Sequence, residues 1–265
     1  MNFNPENYEI IDAHIHPPTA VAQSNITPFG KDNDECSTVA VLRNAGISKA
    51  CGSVIRNMDN YANITFDDIH QLNMAGLAMR DNFPDFYIPG ITIHPKFPEK
   101  SCRELEVMAK QHNIRLIGEL VSYLMGYGRY AIAELDGVWD LAVELDVAVS
   151  IHINSLEDTA ALLKRFPQLK LIVAHPSASQ DEYRQRLELI RDYPNTALDI
   201  SGSGPNTWGM LRFGINTAGV DKIIFGTDFP LRNPGMYVAG VYAENLTDTE
   251  KKAIFSGNIR RLLNM

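Results

Sequence analysis

At 265 residues, 45% of them hydrophobic and 21% charged, the chain has the balance of an ordinary globular protein and room for one α/β barrel or two small domains. Its net charge of −8 argues against gathering polyanions by bulk charge, so nucleic acid is not a favoured partner. Three scattered cysteines, Cys36, Cys51 and Cys102, with no Cys-x-x-Cys pair, argue against a disulfide framework or a thiolate zinc knuckle.

Strand-like and helix-like segments alternate from end to end. The first strand, near 8–16, runs Ile10-Ile11-Asp12-Ala13-His14-Ile15-His16-Pro17. Alternate residues of a strand share a face, so Asp12, His14 and His16 are expected to point one way and Ile11, Ala13 and Ile15 the other. A long, proline-bearing connection over 17–36 follows, of the kind that shapes a pocket at a barrel rim. The second strand, near 49–56, ends at Arg56, and the third, near 86–94, ends at His94 before Pro95. A helix over 101–112 opens with Ser101 and Glu104 in a capping-box spacing and stops at Asn113. The fourth strand, near 115–122, carries Glu119, with Tyr123, Tyr127 and Arg129 just beyond it. A helix over 134–146 leads to the fifth strand, near 147–154, which carries His152. A helix over 156–166 leads to the sixth, near 170–175, which ends at His175. After a helix over 181–193 and a Tyr193-Pro194-Asn195 stop, the seventh strand, near 196–201, ends at Ser201. Trp208 then either lines a pocket or starts a helix over 207–218 packed on the barrel, the second being preferred, and Gly219 closes it. The eighth strand, near 222–228, ends at Asp228; a second long connection over 230–245 carries Arg232, and Thr247 with Glu250 caps a last helix.

The strand runs are near-continuously apolar, which suits parallel strands covered on both faces. Eight of them with helical returns predict an α/β fold, a single closed (β/α)8 barrel over residues 1–265. An open doubly wound sheet is the runner-up, but Asp-Ala-His-Ile-His-Pro stands where its Gly-rich phosphate turn belongs. The opening MNFNPENYE lacks a basic-then-apolar leader, and no run reaches the roughly 20 apolar residues of a membrane span. A cytoplasmic protein with reduced thiols and no membrane partner is the expectation.

In a barrel, strand ends converge on one rim. His14, His16, His152, His175 and Asp228 would then gather around one point, offering imidazole nitrogen and carboxylate oxygen to zinc or a similar divalent ion. An open coordination position would admit a water of lowered pKa. His70 and His112 fall in helical stretches and are expected to be solvated.

The segments IIDAHIHP, VSIHIN, LIVAHPS and IIFGTDFP, with the closing Ser256-Gly257-Asn258-Ile259-Arg260-Arg261-Leu262-Leu263, span almost the whole chain. In that order they resemble the amidohydrolase superfamily, in its amidohydrolase-related branch with aminocarboxymuconate-semialdehyde decarboxylase and related hydrolases. The resemblance implies that His14, His16 and His152 are metal ligands. It implies that Asp228 ligates weakly or sits beside the metal as proton acceptor, and that His175 either completes the shell or bonds substrate or water. Glu119 is either a further ligand, as in members with two metals, or a carboxylate that orients an imidazole. Its Gly-Glu also resembles TatD-type deoxyribonucleases. His94 is not required by the pattern and is either a substrate contact or a structural rim histidine. Arg56, Tyr123, Tyr127, Arg129, Ser201 and Arg232 are expected near the pocket mouth as softer candidates.

The function these residues predict is a metal-dependent hydrolase acting through an activated water on a small amide, lactone or cyclic ester. The alternative is a non-oxidative decarboxylase of an unsaturated or aromatic acid, followed by a TatD-like phosphodiesterase and a barrel without catalysis. One zinc ion is favoured over two, and a homodimer is an expectation from the resemblance alone.

Overall fold

The computed structural model describes residues 7–22, 34–58, 60–203 and 207–265. The strands are β1 (Ile11–Ile15), β2 (Lys49–Ser53), β3 (Tyr87–Gly90), β4 (Leu116–Leu120), β5 (Ala148–His152), β6 (Leu171–Ala174), β7 (Thr196–Asp199) and β8 (Ile223–Ile224). The helices that return the chain are α1 (Glu35–Asn44), α2 (Phe66–Asn82), α3 (Pro98–His112), α4 (Ala133–Glu144), α5 (Leu156–Arg165), α6 (Gln180–Arg191) and α7 (Met210–Ala218). After β8 come α8 (Pro234–Ala243), α9 (Asp248–Lys252) and α10 (Asn258–Leu263). No helix among the described residues is long and apolar enough to cross a membrane.

All strands pair in parallel, β1 to β3 in one set and β4 to β8 in the other. Single bridges join the sets at both seams, Ile91 to Ile117 and Ile15 to Phe229. The amide of Gly118 donates to Ile91 at 2.7 Å, that of His16 to Phe229 at 2.7 Å and that of Asp228 to His14 at 2.8 Å. The eight strands therefore close into a ring, the (β/α)8 architecture. β8 is regular for only two residues, shorter than the run 222–228 suggests, because beyond Ile224 its partner contacts are these isolated ones.

Inside the ring, Ile11, Ala13, Cys51, Leu116, Ala148, Ile172, Ala197 and Ile224 form an apolar layer. Ile259, Leu262 and Leu263 of α10 pack onto that layer and plug the end away from the strand tips. Asn258 fixes the plug by donating to the carbonyls of Val220 and Ile223 at 2.7 and 2.8 Å. With that end closed, polar chemistry is left to the opposite rim.

Two bulges re-aim the strands there. β1 carries one extra residue opposite β2 between Asp12 and Ile15, and β4 one extra opposite β5 between Ile117 and Leu120. A bulge resets the side-chain alternation beyond it. Ile11 and Ala13 therefore face inward before the first bulge, and His14 faces inward after it. This corrects the expectation that Asp12 shares the histidines' face. Asp12 instead points to the seam with β8, accepting from the amide of Thr227 at 3.0 Å and its hydroxyl at 2.5 Å. In β4 the bulge contains Gly118 at φ +89°, where a Cβ would lie 2.2 Å from the Ser150 carbonyl oxygen; glycine is the residue that fits.

Other local readings shift for identifiable reasons. α3 begins at Pro98, whose fixed φ and missing amide suit a first helical position, so Ser101 sits inside the helix and is not its cap. Ser101 instead bonds both backbone groups of His94, and Glu104 accepts from His70 at 2.9 Å, so His70 is half-buried and paired. The box at Thr247 and Glu250 is present, as are the stops at Asn113 and Gly219. The connection over 230–245 is mostly helix α8, with only its first residues forming a loop. Within 17–36, residues 23–33 lie outside the described residues. Trp208 is 83% exposed and does not pack on the barrel.

Candidate active site

The histidines and carboxylates expected at the strand ends meet at one rim, with Glu119 as the hub. One Glu119 oxygen, Oε2, lies 3.1 Å from His14 Nε2 and 3.0 Å from His16 Nε2. The other, Oε1, lies 3.2 Å from His152 Nδ1 and 3.5 Å from His175 Nε2. Asp228 Oδ1 stands 3.8 Å from His14 Nε2 and 4.0 Å from His16 Nε2. His14, His16, Glu119 and Asp228 are all buried.

Hydrogen bonds on the far side of the rings fix how two of these imidazoles present themselves. His14 Nδ1 faces Asp199 Oδ2 at 3.0 Å, and His16 Nδ1 faces the Ser53 carbonyl at 3.1 Å. Each Nδ1–H donates outward, which leaves both Nε2 lone pairs directed at the same small space, 3.2 Å apart. Two lone pairs and a carboxylate oxygen at that separation repel one another unless a positive charge lies between them.

Electrostatics agrees. Burial alone would push the Glu119 carboxyl up, but His14, His152 and His16 outweigh it and hold it well below the usual carboxylate range. Burial alone would push His14 down, yet Glu119 and Asp199 raise it well above an ordinary imidazole. Asp199 is lowered, His14 again overcoming burial. Burial keeps His175 below the ordinary imidazole value despite Glu119, so its ring favours the neutral form. The cluster is built to stabilise positive charge.

Among the described residues, two sets of side chains could hold a divalent cation: His14, His16 and Asp228, and His14, Glu119 and His175. Ligands about 2.1 Å from a metal are roughly 3.0–3.4 Å from one another, and the Nε2 and Oε2 spacings above fall at that scale. The donor set fits a divalent ion.

Backbone conformation marks the same place. His175 and Asp228 adopt φ +68° and +64°, a left-handed region in which a residue with a Cβ is strained. Arg186 of α6 donates to the His175 carbonyl at 2.6 Å, and the Asp228 amide is tied to β1, so the surroundings hold both residues there. Gly202 approaches the His175 ring so closely that a Cβ would lie 2.4 Å from Nδ1. Ser201 bridges the two imidazoles, 3.0 Å from His14 Nδ1 and 2.9 Å from His175 Nδ1, and also donates to Asp199.

Above the cluster opens a cavity of about 330 Å³, with His16, Glu119, His152, His175 and Asp228 at its base and Tyr123, Arg186 and Arg232 on its walls. Such a volume suits a small ligand. Tyr123 stacks edge-on against His152, with ring centroids 5.2 Å apart.

Other softer candidates lie elsewhere. Arg56 is turned away to Asp68 at 2.6 Å, because that carboxylate sits at the start of α2. His94 is buried behind the wall: Nε2 donates to the Met125 carbonyl at 2.8 Å, Nδ1 accepts from the Lys96 amide at 3.1 Å, and no ring nitrogen is left for substrate. Tyr127 packs edge-on against His94, and Arg129 pairs with Asp158 at 3.1 Å. Two residues escaped the sequence reading. Asp199 carried a signal, since it lies two residues before Ser201 on a strand that ends at the rim. Arg186 carried none, because a helical arginine has no pattern that sets it apart from a solvated one.

A family model described as Amidohydrolase matches residues 11–265. No curated protein matches the chain. Among solved structures, 5-carboxyvanillate decarboxylase from Novosphingobium aromaticivorans, complexed with manganese and 4-hydroxy-3-methoxy-5-nitrobenzoic acid, is similar with TM-score 0.77 at 15% identity, covering 100% of both chains. Dihydroxybenzoic acid decarboxylase from a Polaromonas species, with manganese and 2-nitroresorcinol bound, has TM-score 0.78 at 17% identity over 97% of each chain. 4-Oxalomesaconate hydratase from Rhodopseudomonas palustris has TM-score 0.71 at 17% identity over 97% of this chain and 96% of its own.

Proposed function

From the premise that the chain belongs to the amidohydrolase family, we propose that it is a divalent-metal-dependent, non-oxidative decarboxylase of a small aromatic or unsaturated carboxylic acid. The observation that carries this reading is the buried histidine–carboxylate cluster at the base of a cavity sized for about one ring. Decarboxylases of aromatic acids among the similar folds support it over hydrolysis, the first expectation from the sequence. The manganese bound in those two structures supports manganese as a candidate ion beside zinc.

His14, His16, Glu119 and Asp228 would hold the cation, with His152 and His175 adjoining. When bound, a divalent ion supplies Lewis-acid polarisation of substrate oxygens. Asp228, at the cavity base, would pass a proton taken from solvent water to the carbon that bears the carboxylate. The bond to the carboxylate then breaks, its electrons return to the unsaturated system, and carbon dioxide leaves. His175, kept neutral by burial, hydrogen-bonds a substrate oxygen.

The test is an assay of metal-loaded protein against hydroxybenzoates and related unsaturated acids, reading carbon dioxide release and deuterium uptake at the vacated carbon in heavy water. Release with one deuterium per turnover is expected. Hydrolysis of lactones or amides with no carbon dioxide from any acid would return the assignment to a hydrolase.

A further inference from the structure

Arg186 and Arg232 reach the cavity wall from different elements, one from α6 and the other from the loop after β8. Neither forms an ion pair among the described residues. Arg186 is partly buried, and burial outweighs the one carboxylate that acts on it: Glu182, four residues earlier on α6, forms no ion pair with it and accepts instead from the Ser177 hydroxyl at 2.6 Å. The hydrogen bond of Arg186 to the His175 carbonyl uses one of its five N–H donors. A half-desolvated guanidinium without an anion is costly, and a planar fork of spare donors matches a carboxylate. Arg232 has no side-chain partner among the described residues, and it stands four positions beyond Asp228 on the same wall.

With a cation held at its base, the cavity would have two centres of positive potential. One is the cluster at its base, which would hold the cation and the reacting group. The other is the pair of guanidiniums, too far from Glu119 and Asp228 to form ion pairs with them. We propose that Arg186 and Arg232 form a second anion subsite, so the substrate carries an anionic group besides the reacting carboxylate, and that the enzyme selects a dicarboxylic acid. This rests on the decarboxylase reading for the identity of the first group, but the subsite itself can be tested by binding alone.

The probes are benzene-1,3-dicarboxylate and benzoate, titrated calorimetrically into manganese-loaded protein. A charge-assisted contact predicts that the dicarboxylate binds about tenfold more tightly or better. Arg232→Gln should reduce that preference to within about twofold, and Arg232→Lys should restore part of it. Arg186→Gln, which can still donate to the His175 carbonyl, should also reduce it. Equal affinity for the two probes in the natural protein would overturn the subsite, as would a preference unchanged in both glutamine variants. Dicarboxylate preference without carbon dioxide release from any acid would remove the decarboxylase reading and leave the subsite standing. Release from monocarboxylates without that preference would do the reverse.

Discussion

Asp228 and Asp199 are both carboxylates at strand ends, yet their surroundings give them different work. Asp228 lines the cavity and faces two imidazole nitrogens at 3.8–4.0 Å, far enough to handle a proton as well as to approach a cation. Asp228→Asn keeps the volume and tolerates the left-handed backbone. It should abolish turnover while the protein retains most of its metal, read by elemental analysis against activity; full activity would remove Asp228 from the chemistry. Asp199 lies behind His14 and sees no substrate. Its carboxylate orients the ring and raises its basicity, so Asp199→Asn should weaken metal binding by about 10–100-fold, measured by competition with a chelating dye. Unchanged affinity would show that His14 needs no such orientation.

At the scale of elements, the two bulges do what regular strands would not. A plain β4 would alternate Ile117 outward and Gly118 inward, sending Glu119 outward into the apolar layer between barrel and helices. The extra residue turns Glu119 toward His14 and His16. Gly118→Ala places a Cβ against the Ser150 carbonyl at a position of positive φ. It should cost about 3 kcal/mol or more of stability, seen as an earlier urea midpoint, and should lower metal affinity because Glu119 moves with the backbone. Alanine accepted with no loss in either measurement would mean that the bulge is not what sets Glu119. The pattern of hydrophobic runs located β4 and named Glu119, but a period-two reading has no means of placing a bulge. The same blindness put Asp12 on the histidines' face, although its carboxylate serves the seam with Thr227.

At the scale of the whole molecule, the barrel separates stability from chemistry. α10 seals one end with Ile259, Leu262 and Leu263, and the opposite end collects buried carboxylates and imidazoles that favour positive charge. A cation that binds only the folded chain adds to its stability by mass action. Excess chelator should therefore lower the melting temperature, and manganese at about 100 times its dissociation constant should restore about 2.7 kcal/mol, or roughly 5–10 °C for a chain of this size. A melting temperature indifferent to chelator and metal would count against a cation at this cluster.

The amino-acid order by itself determined the (β/α)8 barrel and the rim where His14, His16, His152, His175 and Asp228 meet, because apolar periodicity and strand-end position are local properties that survive in one dimension. It could not decide which polar side chains face which. Arg56 and His94 stand at strand ends like the others, yet Asp68 and the Met125 carbonyl claim them. Glu119 becomes the hub, and Arg186 reaches the cavity from a helix, only when bulges and packing bring distant backbone into register. Those outcomes depend on competition among partners far apart in the chain, and three-dimensional packing alone resolves that competition.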